Sequence, residues 1–145
     1  GYMQWPRLRE VIEFAKRLNI RKIGLAFCIG LSWEAEEVTK ILEKNGFTVV
    51  SAVCKVGCIP KSSLNIPSIR KGQTEAACNP IGQAEILNDA GTELNLIIGL
   101  CIGHDIIFTM NSKAPVSTLI VKDRVLAHNP VGALYSSYYQ KIFKK

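Results

Sequence analysis

The chain has 145 residues, 48% apolar and 21% charged, which is the composition of one globular domain and excludes a disordered segment. No apolar run approaches the ~20 residues that cross a bilayer, and no secretory signal opens the chain, so we expect a cytoplasmic protein with no membrane partner. The net charge of +6 comes from scattered lysines and arginines without interleaved aromatic residues, which predicts a solvated basic surface and no nucleic-acid partner.

Helical and strand patterns alternate in the first part of the chain. Residues Trp5 to Leu18 place apolar side chains on one face at helical spacing. The apolar run Lys22 to Cys28 is typical of a buried parallel strand. A second helix follows, with Ser32 as its predicted cap, and Phe47 to Val53 is the second strand.

The alternation resumes after a long irregular connection, residues 55–77, which is rich in Pro, Gly and Ser. Because such loops are usually functional, we interpret it as a lid. Asn79-Pro80 predicts a helix start with Asn79 as the cap, and Leu94 to Leu100 is the third strand. A helix beginning near His104 and a fourth strand, Val116 to Val121, follow.

This alternation predicts a single α/β domain over residues 1–145, with a three-layer, doubly wound, mostly parallel sheet of the flavodoxin- or Rossmann-like kind and about four to five strands. Right-handed crossovers favour the strand order 2-1-3-4. In such sheets, sites form at the carboxyl ends of the strands. Neither a dinucleotide-binding glycine motif nor a P-loop follows the first strand, so the candidate chemistry rests on other residues.

The five cysteines all fall where strands end or helices begin. Cys28 and Cys101 end the first and third strands in the same Cys-Ile-Gly triplet. Cys54 and Cys58 follow the second strand, and Cys78 precedes the cap of a helix. Because the carboxyl ends of parallel strands and the amino ends of their helices share one edge, we expect these sulfurs to meet in one pocket.

A histidine repeats the arrangement of Cys78. His128 stands directly before Asn129-Pro130, as Cys78 stands before Asn79-Pro80, and this echo predicts that the last helix begins there and runs toward the end of the chain. His104 follows Cys101 by three residues. Either histidine could supply a nitrogen ligand, although for each alone a hydrogen-bonded structural role is the simpler interpretation.

A cluster of thiols and imidazoles has three interpretations. In the first, it binds a metal, either a zinc ion with four Cys or His ligands or an iron–sulfur cluster with four thiolates, and the sequence does not decide between them. The predicted metal ligands are Cys28, Cys54, Cys58, Cys78, Cys101 and His128.

In the second interpretation, one thiolate, Cys28 or Cys101, is the nucleophile or redox centre of an enzyme or redox protein acting on a small anionic substrate. In the third, the cysteines pack like small hydrophobic residues in a non-catalytic module that binds a small molecule or a partner. None of the three predicts an oligomeric state.

Several of these motifs together resemble a known family. They are Phe27-Cys28-Ile29-Gly30-Leu31, the Cys54 and Cys58 pair, Cys78-Asn79-Pro80, Gly99-Leu100-Cys101-Ile102-Gly103-His104-Asp105 and Ala127-His128-Asn129-Pro130. Over nearly its whole length the chain resembles domain-of-unknown-function family 1847, bacterial and archaeal proteins described as predicted metal-binding. The resemblance implies a metal site and no particular reaction. It also implies a further cysteine-rich segment at the amino terminus, which we expect this chain to lack.

Overall fold

A computed structural model describes residue 1 and residues 3–144 of the chain. Within these residues four strands form one fully parallel sheet in the order β2-β1-β3-β4. The strands are β1, Lys22–Phe27; β2, Thr48–Val53; β3, Leu94–Ile98; and β4, Val116–Ile120. The predicted α/β class and strand order are confirmed.

Helices connect these strands and cover the sheet. They are α1, Arg7–Arg17; α2, Ser32–Lys44; α3, Pro80–Asp89; α4, His104–Asn111; α5, Gly132–Tyr135; and α6, Ser137–Phe143. Helix α2 connects β1 to β2 on one side of it, and α3 connects β2 to β3 on the other side of β1. Because the two connections run in opposite directions along the sheet and both are right-handed, α2 and α3 lie on opposite faces. No helix in the described part of the chain is both long and apolar enough to span a membrane.

The core is built around the two central strands. Every residue of β3 is buried, and so are the four middle residues of β1. Because both faces of these strands are covered, their sequences are mostly apolar without alternation, with Asn95 as a buried polar exception. The helices that follow β1 and β3 lie on opposite faces, which makes the carboxyl ends of these two strands the switch point of the sheet.

The start of α2 differs from the prediction. A 3₁₀ turn, Ile29–Leu31, comes directly before α2, and Leu31 occupies the cap position. The Ser32 hydroxyl donates a hydrogen bond back to the Ile29 carbonyl at 2.7 Å, so it does not cap the helix. The backbone after β1 therefore turns tightly beside Cys28.

The prediction that the last helix begins at Asn129-Pro130 is wrong. Ala127 and His128 have left-handed backbone angles, with φ of 49° and 61°, and the helix starts only at Gly132. Extended backbone at Ser136 then separates α5 from α6. The other Asn-Pro start is confirmed, because the Asn79 side chain accepts a hydrogen bond from the Gly82 N–H at the beginning of α3.

Candidate functional site

Cys28 and Cys54 lie side by side at the carboxyl ends of β1 and β2. Phe27 and Val53 are register partners, and each cysteine is the next residue along its strand. Backbone hydrogen bonds continue past the strand ends, since the Cys54 N–H donates to the Phe27 carbonyl at 2.9 Å. Both cysteines are buried, at 8% and 3% exposure, and the Cys54 thiol donates a hydrogen bond to the Cys28 sulfur.

The pKa values of the two thiols shift in opposite directions. The hydrogen bond from Cys54 lowers the pKa of Cys28, and the Lys122 ammonium and the Gly30 N–H lower it further, against the opposing effect of burial. The same hydrogen bond raises the pKa of Cys54, and burial raises it as well. These directions favour loss of a proton from Cys28 before Cys54.

The tight turn after β1 supplies backbone donors to both sulfurs. The Ile29 N–H donates to the Cys54 sulfur at 3.4 Å, and the next N–H, from Gly30, reaches Cys28. A Cβ added at Gly30 would stand 3.9 Å from the Cys28 Sγ and 4.0 Å from the Lys122 Nζ, which shows that the ammonium and the sulfur flank the same point. Backbone N–H groups and a lysine together favour a thiolate here.

Two further cysteines lie against cationic side chains. The Lys55 Nζ donates to the Cys78 sulfur at 3.3 Å and to the Ala76 carbonyl at 2.6 Å. The Arg124 Nη2 donates to the Cys101 sulfur at 3.3 Å. This contact raises the pKa of Arg124, and the charges of Cys28 and Cys78 act in the same direction, so one edge of the sheet brings these sulfurs near a common guanidinium.

These cations were missed in the sequence, although their positions carried a signal. Lys55 directly follows Cys54, at the end of β2. Lys122 and Arg124 come just after β4, which pairs with β3, so they reach the same edge as Cys101. Any residue that directly follows a parallel strand is expected at the carboxyl edge of the sheet, and charged residues should be considered there together with cysteines.

Two predicted ligands lie elsewhere. Cys58 is exposed and lines a groove beside the 55–77 loop. The His128 Nδ1 accepts a hydrogen bond from the Asp123 N–H at 3.1 Å, and the His128 N–H donates to the Asp123 carbonyl at 2.8 Å. His128 therefore closes a local turn, and His104 is the first residue of α4.

The residues as arranged do not fit a zinc ion or an iron–sulfur cluster. Among the described residues, no three Cys, His, Asp or Glu side chains form a group that could hold a metal ion. The sulfurs have other partners: Cys28 and Cys54 are free thiols that interact with each other, and Cys78 and Cys101 accept hydrogen bonds from cations. An ammonium or guanidinium beside a sulfur opposes a metal cation there, so the metal site stays a prediction.

Fold and site together define a class: a parallel-sheet α/β protein with paired thiols and cations at the carboxyl edge of its strands. The chain belongs to the family described as Protein of unknown function (DUF1847), which matches residues 1–119. It is 59% identical to an uncharacterized protein of Methanocaldococcus jannaschii over 140 residues, which are 97% of this chain and 72% of that protein. The family resemblance is confirmed, and all five cysteines lie in the matched region.

Proposed function

We propose that this is a thiol-dependent redox protein whose reactive pair is Cys28 and Cys54. Cys28 is the nucleophile, and Cys54 is both its hydrogen-bond donor and the second thiol. The observation that carries the proposal is the adjacency of Cys28 and Cys54 at the ends of paired strands, with the Lys122 ammonium beside the same turn as the Cys28 sulfur. Five free thiols suit a reducing compartment, so we place the protein in the cytoplasm.

The substrate class that uses both thiols is a small disulfide. The Cys28 sulfur attacks one sulfur of the substrate, the substrate S–S bond breaks, and one thiolate leaves. Cys54 then gives its proton to the departing thiolate and attacks the Cys28 sulfur, which releases the second sulfur as a thiolate that takes a proton from water. Two protein thiols are oxidised to one disulfide while the substrate disulfide is reduced to two thiols.

The backbone geometry supports a bond between this pair. Neighbouring residues on adjacent strands are about 4.8 Å apart, which is within the Cα separation of about 4.4–6.8 Å found in disulfides. The 8% exposure of Cys28 limits the substrate to a small molecule. Because Lys122, Lys55 and Arg124 surround the sulfurs, an anionic substrate is favoured.

Alkylation by iodoacetamide, followed by peptide mapping, tests the nucleophile. A simple thiol with a pKa of about 8.5 loses its thiolate roughly 75-fold between pH 8 and pH 6. Cys28 is expected to lose far less, because its pKa is lowered. Lys122→Met should steepen the pH dependence at Cys28, whereas Lys113→Met, a matched change at an exposed lysine just before β4, should not.

Cys28 that reacts with the pH dependence of a simple thiol would contradict this assignment. The redox step has its own test: equilibration in glutathione buffers of increasing oxidation, with mass spectrometry of linked peptides. A Cys28–Cys54 linked peptide is expected. Linkage confined to other cysteines would overturn the proposed pair.

Metal content separates this proposal from the metal-binding function expected from the sequence. Protein purified without oxygen is measured for zinc and iron. If one equivalent of zinc, or an iron–sulfur chromophore, is lost when Cys28 and Cys54 are replaced, the pair is a metal site and the redox proposal fails. Metal below one tenth of an equivalent, with Cys28 still reactive, supports the redox proposal.

A further inference from the structure

A groove of about 620 Å³ lies between the end of β1 and the 55–77 loop. Its volume is that of a site for a small organic molecule. Its walls include Ile29, Lys55, Cys58, Ile69, Arg70 and Glu75. The groove adjoins the Cys28–Cys54 pair through Ile29 and Lys55, but neither of these two cysteines lines it.

The outer wall of the groove is built by internal bonds. The base of the loop is tied where the Lys61 N–H donates to the Glu75 carbonyl at 2.8 Å and the Ala77 N–H donates to the Ile59 carbonyl at 2.7 Å. The Glu75 carboxylate accepts from the Lys61 ammonium and from the Arg70 N–H. These contacts hold both arms of the loop in place on either side of the groove.

The charge of the groove is positive. Lys61 neutralises Glu75 and, as the main cause, lowers the pKa of this carboxyl to about 2. The Lys55 ammonium uses two of its three protons on Ala76 and Cys78. No described residue accepts a hydrogen bond from the Arg70 guanidinium. Lys55 and Arg70 therefore leave donors and positive charge for a ligand.

The walls also carry apolar surface. Ile29 and Ile69 line the groove and are 55% and 87% exposed, so they offer apolar surface to a ligand there. Cys58, whose side chain is exposed, is the one cysteine that lines this groove. A ligand that matches all three features has a negative group, an apolar part and a group that reacts with thiols.

We propose that this groove binds small organic anions and that Cys58 exchanges there with disulfides that carry carboxylates. The Cys58 sulfur attacks one sulfur of the disulfide, the S–S bond of the disulfide breaks, and the Cys58 proton leaves with the departing thiol. The product is a mixed disulfide on Cys58, oxidised at the protein sulfur, and one reduced small thiol. This site does not depend on the proposed function, since it uses a different thiol, Cys58, although Lys55 lies beside both sites.

Two small disulfides of similar length test the proposal: anionic 3,3′-dithiodipropionate and neutral bis(2-hydroxyethyl) disulfide. The rate at which each modifies Cys58 is measured by peptide mass spectrometry, in the folded chain and in urea. The ratio of the anionic to the neutral rate is expected to be about tenfold higher in the folded chain, because the groove concentrates the anion.

Matched charge reversals locate the effect. Arg70→Glu should lower the ratio about tenfold, whereas Lys71→Glu, the same charge change one residue outside the groove walls, should change it less than about twofold. Equal losses in the two variants, or equal ratios in the folded and unfolded chains, would overturn the site. Because Cys58 is mapped separately from Cys28, failure here leaves the proposed function standing, and failure at Cys28 leaves this site standing.

Discussion

Gln83 is a fully buried polar side chain beneath the thiol pair. Its Nε2 donates to the Ala52 carbonyl at 2.7 Å and to the Phe27 carbonyl at 3.2 Å. Phe27 directly precedes Cys28, and Ala52 lies two residues before Cys54. One side chain of α3 therefore holds together the ends of the two strands that carry the reactive sulfurs. Its Oε1 is buried without a partner among the described residues, which is a cost that the two donated bonds offset.

Gln83→Glu tests this role. The new carboxylate would face two carbonyl oxygens without a donor, so we expect a loss of about 3 kcal/mol or more in the free energy of unfolding at pH 7. Burial raises the pKa of such a carboxyl in the folded state, so the loss should be smaller at pH 5 than at pH 8. Urea unfolding at the two pH values measures it.

Gln83→Met is the control for this substitution. It keeps the volume but removes both donated bonds without adding a charge, and should cost about 1 kcal/mol at either pH. Equal losses in the two variants, or a Glu variant that is insensitive to pH, would show that Gln83 does not face the carbonyl oxygens of β1 and β2.

At the scale of elements, the Lys61–Glu75 ion pair adds to the backbone hydrogen bonds that join the two arms of the 55–77 loop. The Lys61 and Glu75 side chains are only 13% and 20% exposed, and Glu75 also accepts from the Arg70 backbone. Glu75→Gln should therefore loosen the outer arm and speed tryptic cleavage after Arg70 and Lys71 severalfold. Limited proteolysis followed by mass spectrometry of the products measures the rate.

Glu85→Gln is the matched control for the loop. Glu85 is an exposed residue of α3 that makes no ion pair in the described structure, so this variant should be cleaved in the loop at the wild-type rate. If both variants were cleaved equally fast, the ion pair would contribute nothing to holding the outer arm.

The strands were predictable from the sequence because they are buried on both faces. Strands that are covered on both faces are mostly apolar. Because crossovers between parallel strands are right-handed, few strand orders remain possible for a four-stranded sheet. The start of α3 at Asn79-Pro80 was predictable for the same reason, since this helix buries Ala84 and Leu87 against the sheet. In the strands and at the start of α3, the local sequence pattern and the tertiary packing favour the same structure.

The last helix was not predictable from its start signal. Asn129-Pro130 carries the same capping residues as Asn79-Pro80, but α5 and α6 bury no residue. Without an apolar face to pack, a helix of this length gains little from its tertiary surroundings, and a local start signal does not decide its position. The chain adopts left-handed turns at Ala127 and His128 instead.

The candidate site was predictable in its place and not in its chemistry. Parallel topology puts Cys28 and Cys54 at one edge, which follows from strand order alone. Their protonation depends on which way side chains point: strand order brings Lys122 to this edge but does not aim its ammonium at Cys28. Left-handed backbone at Gly57 and Cys58 likewise carries the fifth cysteine to the groove.

At the scale of the whole molecule, the thiol edge concentrates positive charge. The chain carries a net charge of +6, and Lys55, Lys122 and Arg124 add to it where the strands end. Such a field draws small anions toward this edge and loses strength as salt is added. The Cys28 thiolate and the cations around it therefore stabilise each other in the folded chain and are separated on unfolding.

This mutual stabilisation makes the stability of the whole protein depend on pH. An unfolded thiol has a pKa of about 8.5. The pKa of folded Cys28 is lower, so below about pH 8.5 the unfolded chain binds one more proton at this residue, and stability rises with pH by at most about 1.4 kcal/mol per unit. The pKa of folded Cys54 is higher, so above about pH 8.5 the folded chain keeps a proton that the unfolded chain loses, and stability falls.

The contribution of the pair should therefore pass through a maximum near pH 8.5, the pKa of an ordinary thiol. Urea unfolding of the reduced wild type and of Cys28→Ala/Cys54→Ala at pH 6, pH 8.5 and pH 10 isolates it as the difference in unfolding free energy. The packing lost in the variant lowers its unfolding free energy by the same amount at each pH. The contribution of the shifted pKa values changes with pH. A difference that stays constant across the three pH values would mean that Cys28 and Cys54 titrate alike in the folded and unfolded chains, and that no thiolate is held at this edge.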